Sequence, residues 1–307
     1  MTDITRHFSA FRGELTKYFE FSPGKIFYDL TLGDGGHTQE ALEAGCRVIS
    51  VDVDPEAIKR AVSFVSSFTP IIVNSETKTI PVDYHWLIIN DNFTHIGEYV
   101  KRLNLPLADA IMVDLGPSQF QILSPDRGFS FLSEEPLDMR LTRELGVKAS
   151  DLVNALNEGE LASLFSLGDE PFARPIARAI VGARQKSPIT TTKQLADIVL
   201  KVKGFRSGKI HPATQVFMSL RMAVNLEREV IQELLPQLPE VMNPGGRVGV
   251  ISFHSGEDKL VKDFMKTAEE KNLLSVISKK PIVPSKEELK ISPRTRSAKL
   301  RLARKNN

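Results

Sequence analysis

Apolar residues follow two rhythms along this chain. Unbroken runs of strand length occupy Lys25 to Leu30, Arg47 to Val51, His85 to Asn90, Asp109 to Asp114 and Arg247 to Phe253. Such runs predict strands buried on both faces, as in a parallel sheet covered by helices. Between the last two the rhythm changes. From about Ser118 to Ala213 there is no convincing buried strand, and apolar residues recur at helical spacing in Ala149 to Leu156, Glu160 to Ser166, Phe172 to Ala183 and Thr192 to Lys201. Ser150 and Thr190-Thr191-Thr192 are placed to cap two of these helices. Ala213 to Leu238 then reads as one long amphipathic helix ending before Pro239, and Asn243-Pro244-Gly245-Gly246 as the turn into the last strand. Thr69 to Tyr84 reads as a lengthened loop. The pattern predicts an α/β fold, a doubly wound, mostly parallel sheet interrupted once by a helical domain. The expected division is 1–117 and 214–278 for the sheet domain, 118–213 for the insertion, and a tail over 279–307.

Composition narrows the class. The chain of 307 residues, 41% hydrophobic and 25% charged, is an ordinary globular one, long enough for such an interrupted domain. No stretch approaches the roughly 20 apolar residues of a membrane span. The segment Met1 to His7 has neither a secretory core nor the character of a transit peptide, so a cytoplasmic location is expected. Cys46 is the only cysteine, which excludes an intramolecular disulfide and a cysteine metal cage and reads as a small buried residue. The histidines show no metal-ligand spacing, so no metal is expected. Net charge is +2 but uneven: Lys279 to Asn307 carries ten Lys/Arg against two Glu, leaving everything before it net acidic. A basic tail of this kind supplies sequence-independent attraction to phosphates.

The chemistry begins at Asp29-Leu-Thr-Leu-Gly33-Asp34-Gly35-Gly36-His37 and Asp52-Val53-Asp54. The order is strand, glycine turn, helix, strand, acid. Gly33, Gly35 and Gly36 permit a sharp turn and close approach to a ligand, and a carboxylate closing the next strand can accept both hydroxyls of a ribose. The run lacks the Gly-x-Gly-x-x-Gly of dinucleotide sites, and Asp34 stands where phosphate charge would go. A phosphate-free nucleoside such as S-adenosylmethionine therefore fits better than NAD. Asp114 closes another buried strand, so Asp114, Ser118 and Gln121 are expected in the same crevice as Gly35 and Asp52. In amino-group methyltransferases this strand end carries an acid or amide, then Pro and an aromatic; Gly116-Pro117-Ser118-Gln119-Phe120 echoes that pattern in part. Methyl transfer to an exocyclic amine needs held reactants and acceptors for the amine protons but no covalent nucleophile. His254-Ser255-Gly256-Glu257-Asp258 follows the last strand and reads as a substrate-contacting loop or as a helix cap; a hydrolase relay is disfavoured because no Gly-x-Ser-x-Gly elbow is present.

Taken together, several segments resemble the ribosomal RNA small subunit methyltransferase H family, which methylates N4 of a cytidine in bacterial 16S rRNA. They are Asp29 to His37, Asp52 to Pro55, Asn92-Phe93, Asp114 to Gly116, Arg127 to Phe131, Pro136 to Arg140, Ala177 to Ile180, His211 to Thr214, Ile251 to Ser255 and Ser292 to Arg301. They run in family order over almost the whole chain. The resemblance implies a Rossmann-like class I methyltransferase domain with a helical insertion that helps hold RNA. It implies donor contacts at Gly35, Gly36, His37, Asp52, Phe93, Asp114 and Gln121, with Asp114 and Ser118 at the reacting amine. Arg127, Arg140, His254, Ser255, Arg294, Arg296, Lys299 and Arg301 would then meet RNA. The implied cofactor is S-adenosyl-L-methionine; the implied partner is the small ribosomal subunit with its 16S rRNA, bound by a monomer or homodimer.

The chain also departs from the family's pattern. Asp-Leu-Gly-Val-Ser-Ser-Pro-Gln-Leu-Asp becomes Asp114-Leu-Gly-Pro-Ser-Gln-Phe-Gln-Ile-Leu123, and His-x-Pro-Val becomes His7-Phe8-Ser9-Ala10, while His7 and Glu14 remain. The donor site is complete and the target pocket has changed. Two further readings stay open: a non-catalytic RNA-binding or ribosome-assembly protein on a methyltransferase fold, which the altered segment Pro117 to Leu123 motivates, and a nicotinamide-dependent oxidoreductase, which Asp34 and the turn disfavour.

Overall fold

The computed structural model describes residues 9–131, 133–143, 145–204 and 211–307; His7 lies outside them. They form two compact units, Met1–Gly116 with Glu229–Asn307, and Pro117–Arg228. In chain order the first unit opens with α1 (Leu15–Phe19), β1 (Ile26–Asp29), α2 (Gly36–Glu43), β2 (Arg47–Asp52), α3 (Pro55–Phe64), β3 (Ile71–Val73), β4 (Trp86–Asn90), α4 (Ile96–Arg102) and β5 (Ala108–Asp114). Helices α5 (Gln119–Leu123), α6 (Ala149–Ala155), α7 (Glu158–Leu167), α8 (Ala173–Arg184), α9 (Thr192–Lys203) and α10 (Thr214–Val224) follow, then α11 (Glu227–Leu234). The chain closes with β6 (Met242–Ser252), α12 (Ser255–Glu270), β7 (Leu274–Val276), α13 (Lys286–Ile291) and β8 (Lys299–Lys305).

Among the described residues the strands form one 8-stranded sheet in the order β3-β4-β2-β1-β5-β6-β8-β7. The first six in that order are parallel neighbours, and β8 enters antiparallel between β6 and β7. This is the expected doubly wound sheet. The chain leaves β1 toward β2 on one side and returns to β5 on the other, so the crevice between the carboxyl ends of β1 and β5 is the topological switch point. One apolar core, with Ile49, Ile89, Val113 and Val250, lies under α4, α11 and α12; the other, with Phe27, Val48, Ile88 and Met112, lies under α1, α2 and α3. Strand side chains alternate faces. Asp29, Ser50, Asp52 and Asp114 thus carry on, toward the carboxyl edge, the face begun by Phe27, Val48 and Met112. Among the described residues no helix is long and apolar enough to cross a membrane.

Several expectations change. The lengthened loop contains β3, whose Ile71, Ile72 and Val73 extend the sheet beside β4. The Asn243 to Gly246 turn lies inside β6 as an irregularity in its register with β5; a Cβ on Gly246 would come within 3.0 Å of the Ala108 carbonyl, so the strands can close only on glycine. The long helix from Ala213 is broken after Val224. Asn225 turns its amide to the carbonyls of Met139 and Arg221 and accepts the Leu141 N–H, and Leu226 takes a left-handed φ of 49°. Pro236 and Pro239 then hold Leu235–Val241 as a 3-10 helix.

The boundary of the helical unit moves for the same kind of reason. Val216, Phe217, Leu220 and Val224 of α10 are buried with Phe165, Ile176, Ile180 and Leu195, so α10 shares the helical core rather than the sheet's. Thr191 caps α9, its hydroxyl accepting from Gln194 N, whereas Ser150 sits inside α6 and gives its N–H to Leu137. The basic segment is not a tail. Residues 286–305 fold as α13, a 3-10 turn (Pro293–Ser297) and β8, whose Leu300, Leu302 and Ala303 are buried against β6.

Candidate active site

The glycine turn has the backbone that its sequence demands. Gly33 and Gly35 lie at φ 53° and 85°, a region costly for residues with a Cβ, and a Cβ on Gly35 would press on Val65 and Ala61 of the α3 segment. Gly36 has no room for one either, because the Ser9 hydroxyl lies against it. Residue Gly35 caps α2 without a side chain, which leaves the first N–H groups of that helix facing the turn. Asp34 pairs with Arg60 of α3 at 2.8 Å, so its charge is answered by protein. That pairing removes part of the argument against a phosphate-bearing ligand.

Asp52 turns back onto the turn. One carboxylate oxygen accepts the Gly33 N–H and the other the Asp54 N–H, both at 2.8 Å, which fixes the carboxylate and leaves each oxygen further acceptor capacity for a ribose hydroxyl. Burial pushes its pKa up to about 7 against the pull of those two bonds. Phe93 opens a 3-10 turn after β4, capped by Asn92 through a bond from Thr94 N at 3.0 Å, and its ring is half-buried against the core. His37 is buried, and its Nε2 donates to the Ala10 carbonyl at 2.9 Å, which sets Nε2 as the protonated nitrogen. The N-terminal segment therefore lines the turn that it follows in space.

Asp114 ends β5 at the switch point. Its Oδ1 is buried with no hydrogen-bond partner among the described residues, an acceptor awaiting a donor. Burial raises this carboxyl to about 7; His37 opposes the rise and Asp29, Glu257 and Glu288 add to it. An orphaned acid beside a glycine turn fits a cationic donor or an amine substrate, since either would relieve the burial cost. The residues present thus suit S-adenosylmethionine.

In the helical unit, Ser118 and Gln121 close on each other. The Ser118 hydroxyl accepts from Gln121 N at 3.2 Å, and Gln121 Oε1 accepts from Ser118 N at 2.9 Å, a capping box that starts α5. Arg127 donates to the Leu141 carbonyl at 2.8 Å. Arg140 has all three guanidinium nitrogens engaged, two on Asp138 and one on the carbonyls of Arg143 and Leu145. It braces its own loop.

The remaining predicted RNA residues lie in the sheet unit. His254 is the N-cap of α12: its Nδ1 accepts from Glu257 N, and Glu257 accepts from Phe253 N, so the helix-cap reading of this segment holds. Ser255 is exposed in the first turn. Arg294 and Arg296 are exposed on the 3-10 turn before β8. Because β8 begins opposite Ser252, at the carboxyl end of β6, these two arginines stand at the ligand edge of the sheet. Arg301 is withdrawn from that surface. It is 7% exposed and held by Asp258, with Lys299 on the same carboxylate, because a guanidinium in a core strand needs a partner.

Reasoning from the sequence missed a buried polar chain. The Trp86 indole donates to Ser50 Oγ at 3.0 Å, Ser50 and Thr38 share a bond of 2.8 Å, and Thr38 donates to Asp29 at 2.7 Å. An acid ending the apolar run of β1 was its only visible signal. Glu288 was missed too; it is buried and accepts Phe11 N at 3.1 Å across 277 residues.

Comparison with known proteins bears on this site. The chain is 38% identical over 317 residues to ribosomal RNA small subunit methyltransferase H of Carboxydothermus hydrogenoformans, with 97% of each chain covered. It is 38% identical to the protein of that name from Coprothermobacter proteolyticus, covering 99% of this chain and 98% of the relative. The Deinococcus deserti protein of that name is 40% identical, with 97% and 92% covered. The model of the MraW methylase family matches residues 4–306. With the glycine turn, the strand-ending acids and near-complete coverage in agreement, the chain belongs to the MraW methylase family.

Proposed function

We propose that this protein moves a methyl group from S-adenosylmethionine to the exocyclic N4 of a cytidine in the decoding centre of 16S rRNA, in the cytoplasm. The observation that carries the reading is the buried Oδ1 of Asp114, without a hydrogen-bond partner among the described residues, at the switch point beside a glycine turn built for close approach. Relatives named as small-subunit rRNA methyltransferases over nearly full length support the substrate class. When bound, S-adenosylmethionine supplies an electrophilic methyl on a sulfonium.

The backbone around Gly35, Gly36 and His37 would hold the donor's amino-acid end, Asp52 its ribose and Phe93 its adenine. Asp114 would accept a hydrogen bond from the exocyclic amine, aiming its lone pair at the methyl carbon. Positive charge gained by the nitrogen on methylation would be stabilised by this carboxylate more strongly than the neutral amine is. The amine then gives up one proton, to Asp114 or to water. Arg294 and Arg296 would bind phosphate and position the RNA without reading its sequence.

Incubation with labelled S-adenosylmethionine and small subunits from a strain lacking this chain, followed by nucleoside mass spectrometry, tests the reading. N4-methylcytidine should appear with wild type and vanish with Asp114→Ala. Donor binding without transfer would favour the non-catalytic RNA-binding reading, for which the mutual closure of Ser118 and Gln121 is the specific motive.

A further inference from the structure

The crevice between β1 and β5 opens because their ladder stops. Its last pair is Asp29↔Met112, followed by one more bond from Leu30 N to the Met112 carbonyl at 2.9 Å. Beyond it β1 bends into the glycine turn, and the next inward N–H of β5, that of Asp114, has lost a backbone partner on this side. The Thr31 hydroxyl takes that place: it accepts the Asp114 N–H at 2.7 Å. On the other side, Leu115 N keeps its ladder bond to Ile251 at 3.0 Å. At this end of the ladder, the position of Asp114 relative to β1 thus depends on a side chain.

Thr31 is itself held. Its N–H donates to Asp29 Oδ1 at 3.3 Å, and the other oxygen of Asp29 accepts from Thr38 of α2 at 2.7 Å. One buried carboxylate therefore fastens both the helix that follows the glycine turn and the threonine that fastens Asp114. The geometry points to Thr31 as a positioning residue for methyl transfer: its hydroxyl sets the place of Asp114 relative to the donor turn, and Asp29 holds Thr31. This rests on the methyl-transfer reading above. Thr31 touches neither reactant in that role, so its loss should cost the rate of the chemical step more than the affinity for the donor.

The test compares Thr31→Val, which keeps shape and removes the acceptor, with Thr31→Ser, which keeps the hydroxyl. Turnover on small subunits, S-adenosylhomocysteine affinity and amide hydrogen exchange at Asp114 are measured for each. Thr31→Val should lower kcat about ten- to a hundredfold, the loss that a displacement near 1 Å brings, with donor affinity within about threefold. It should also speed exchange of the Asp114 amide, while Thr31→Ser restores slow exchange and most of the rate. Thr31→Ala replaces the valine variant if that one does not fold. Unchanged exchange and rate in Thr31→Val, equal damage in the serine variant, or a parallel loss of donor affinity would each overturn the assignment. The exchange measurement does not use turnover. Inactive wild-type protein would defeat the methyl-transfer reading, and the grip of Thr31 on Asp114 would still stand or fall on exchange.

Discussion

Arg301 grips Asp258 with two parallel bonds, Nε to Oδ1 at 2.6 Å and Nη2 to Oδ2 at 3.1 Å, and so ties the final strand to the first turn of α12. Both side chains are nearly enclosed, at 9% and 14% exposure, which makes this pair a structural fastener rather than a surface charge. Burial pushes the Asp258 carboxyl up, and the bonds and charge of Arg301, with Lys299, outweigh it and hold the carboxyl below its ordinary value.

Removing the guanidinium should therefore destabilise the fold. Arg301→Met leaves a buried acid with only Lys299 beside it, and urea unfolding at pH 7 should show a loss of about 3 kcal/mol, the lower end for a broken buried pair. A carboxyl held low contributes stability above its unfolded value that is lost as pH falls through its folded one. The variant should accordingly show a shallower loss of stability on acidification than wild type.

Asp114 predicts the opposite slope. Its folded pKa, about 7, lies above the unfolded 3.8, so its contribution is whole below that lower value and is lost as pH rises through the higher one. Asp114→Asn removes the ionisation. Without ligand, the variant should exceed wild type in stability by on the order of 1–3 kcal/mol at pH 8 and match it near pH 4, as measured by urea unfolding. Wild-type kcat/KM should fall as pH drops below about 7, where the carboxylate that accepts the amine's hydrogen bond becomes neutral. Greater stability at high pH with no turnover would mark the burial of this acid as a cost borne for function.

Arg294 and Arg296 should behave as phosphate contacts. Replacing both by Glu should weaken small-subunit RNA binding and reduce the slope of log affinity against log salt by about two, with thermal stability and S-adenosylhomocysteine binding unchanged. Filter binding over a salt series reads this directly. Deleting 290–307 cannot serve instead, because it removes β8 and the buried Leu300 and Leu302 with it.

The sheet was legible where the signal is local. Five buried strands, the strand-turn-helix-strand order around Gly35 and the capping role of Thr191 all follow from neighbouring residues. Short strands were not: Ile71–Val73 lies in a polar, proline-bearing stretch, and its strand state depends on β4 lying beside it. The long helix failed for a related reason. Its periodicity is real, and the capture of Asn225 by Met139 and Leu141, 84 to 86 residues away, ends it early.

At the site, local sequence supplied the candidates, because φ > 0 at a turn favours glycine and a strand-ending acid lies at a carboxyl edge wherever the sheet is wound this way. Only the tertiary structure decided what each residue is free to do. Arg301, Arg140 and Asp34 read as available charges, yet each is answered by Asp258, Asp138 or Arg60. Asp114 read as the acid at the reacting amine, and its Oδ1 is buried with no hydrogen-bond partner among the described residues. Partner choice across 43 residues for Arg301, 83 for Thr31 and Asp114, or 277 for Glu288 and Phe11 depends on the strand order, which no local pattern encodes.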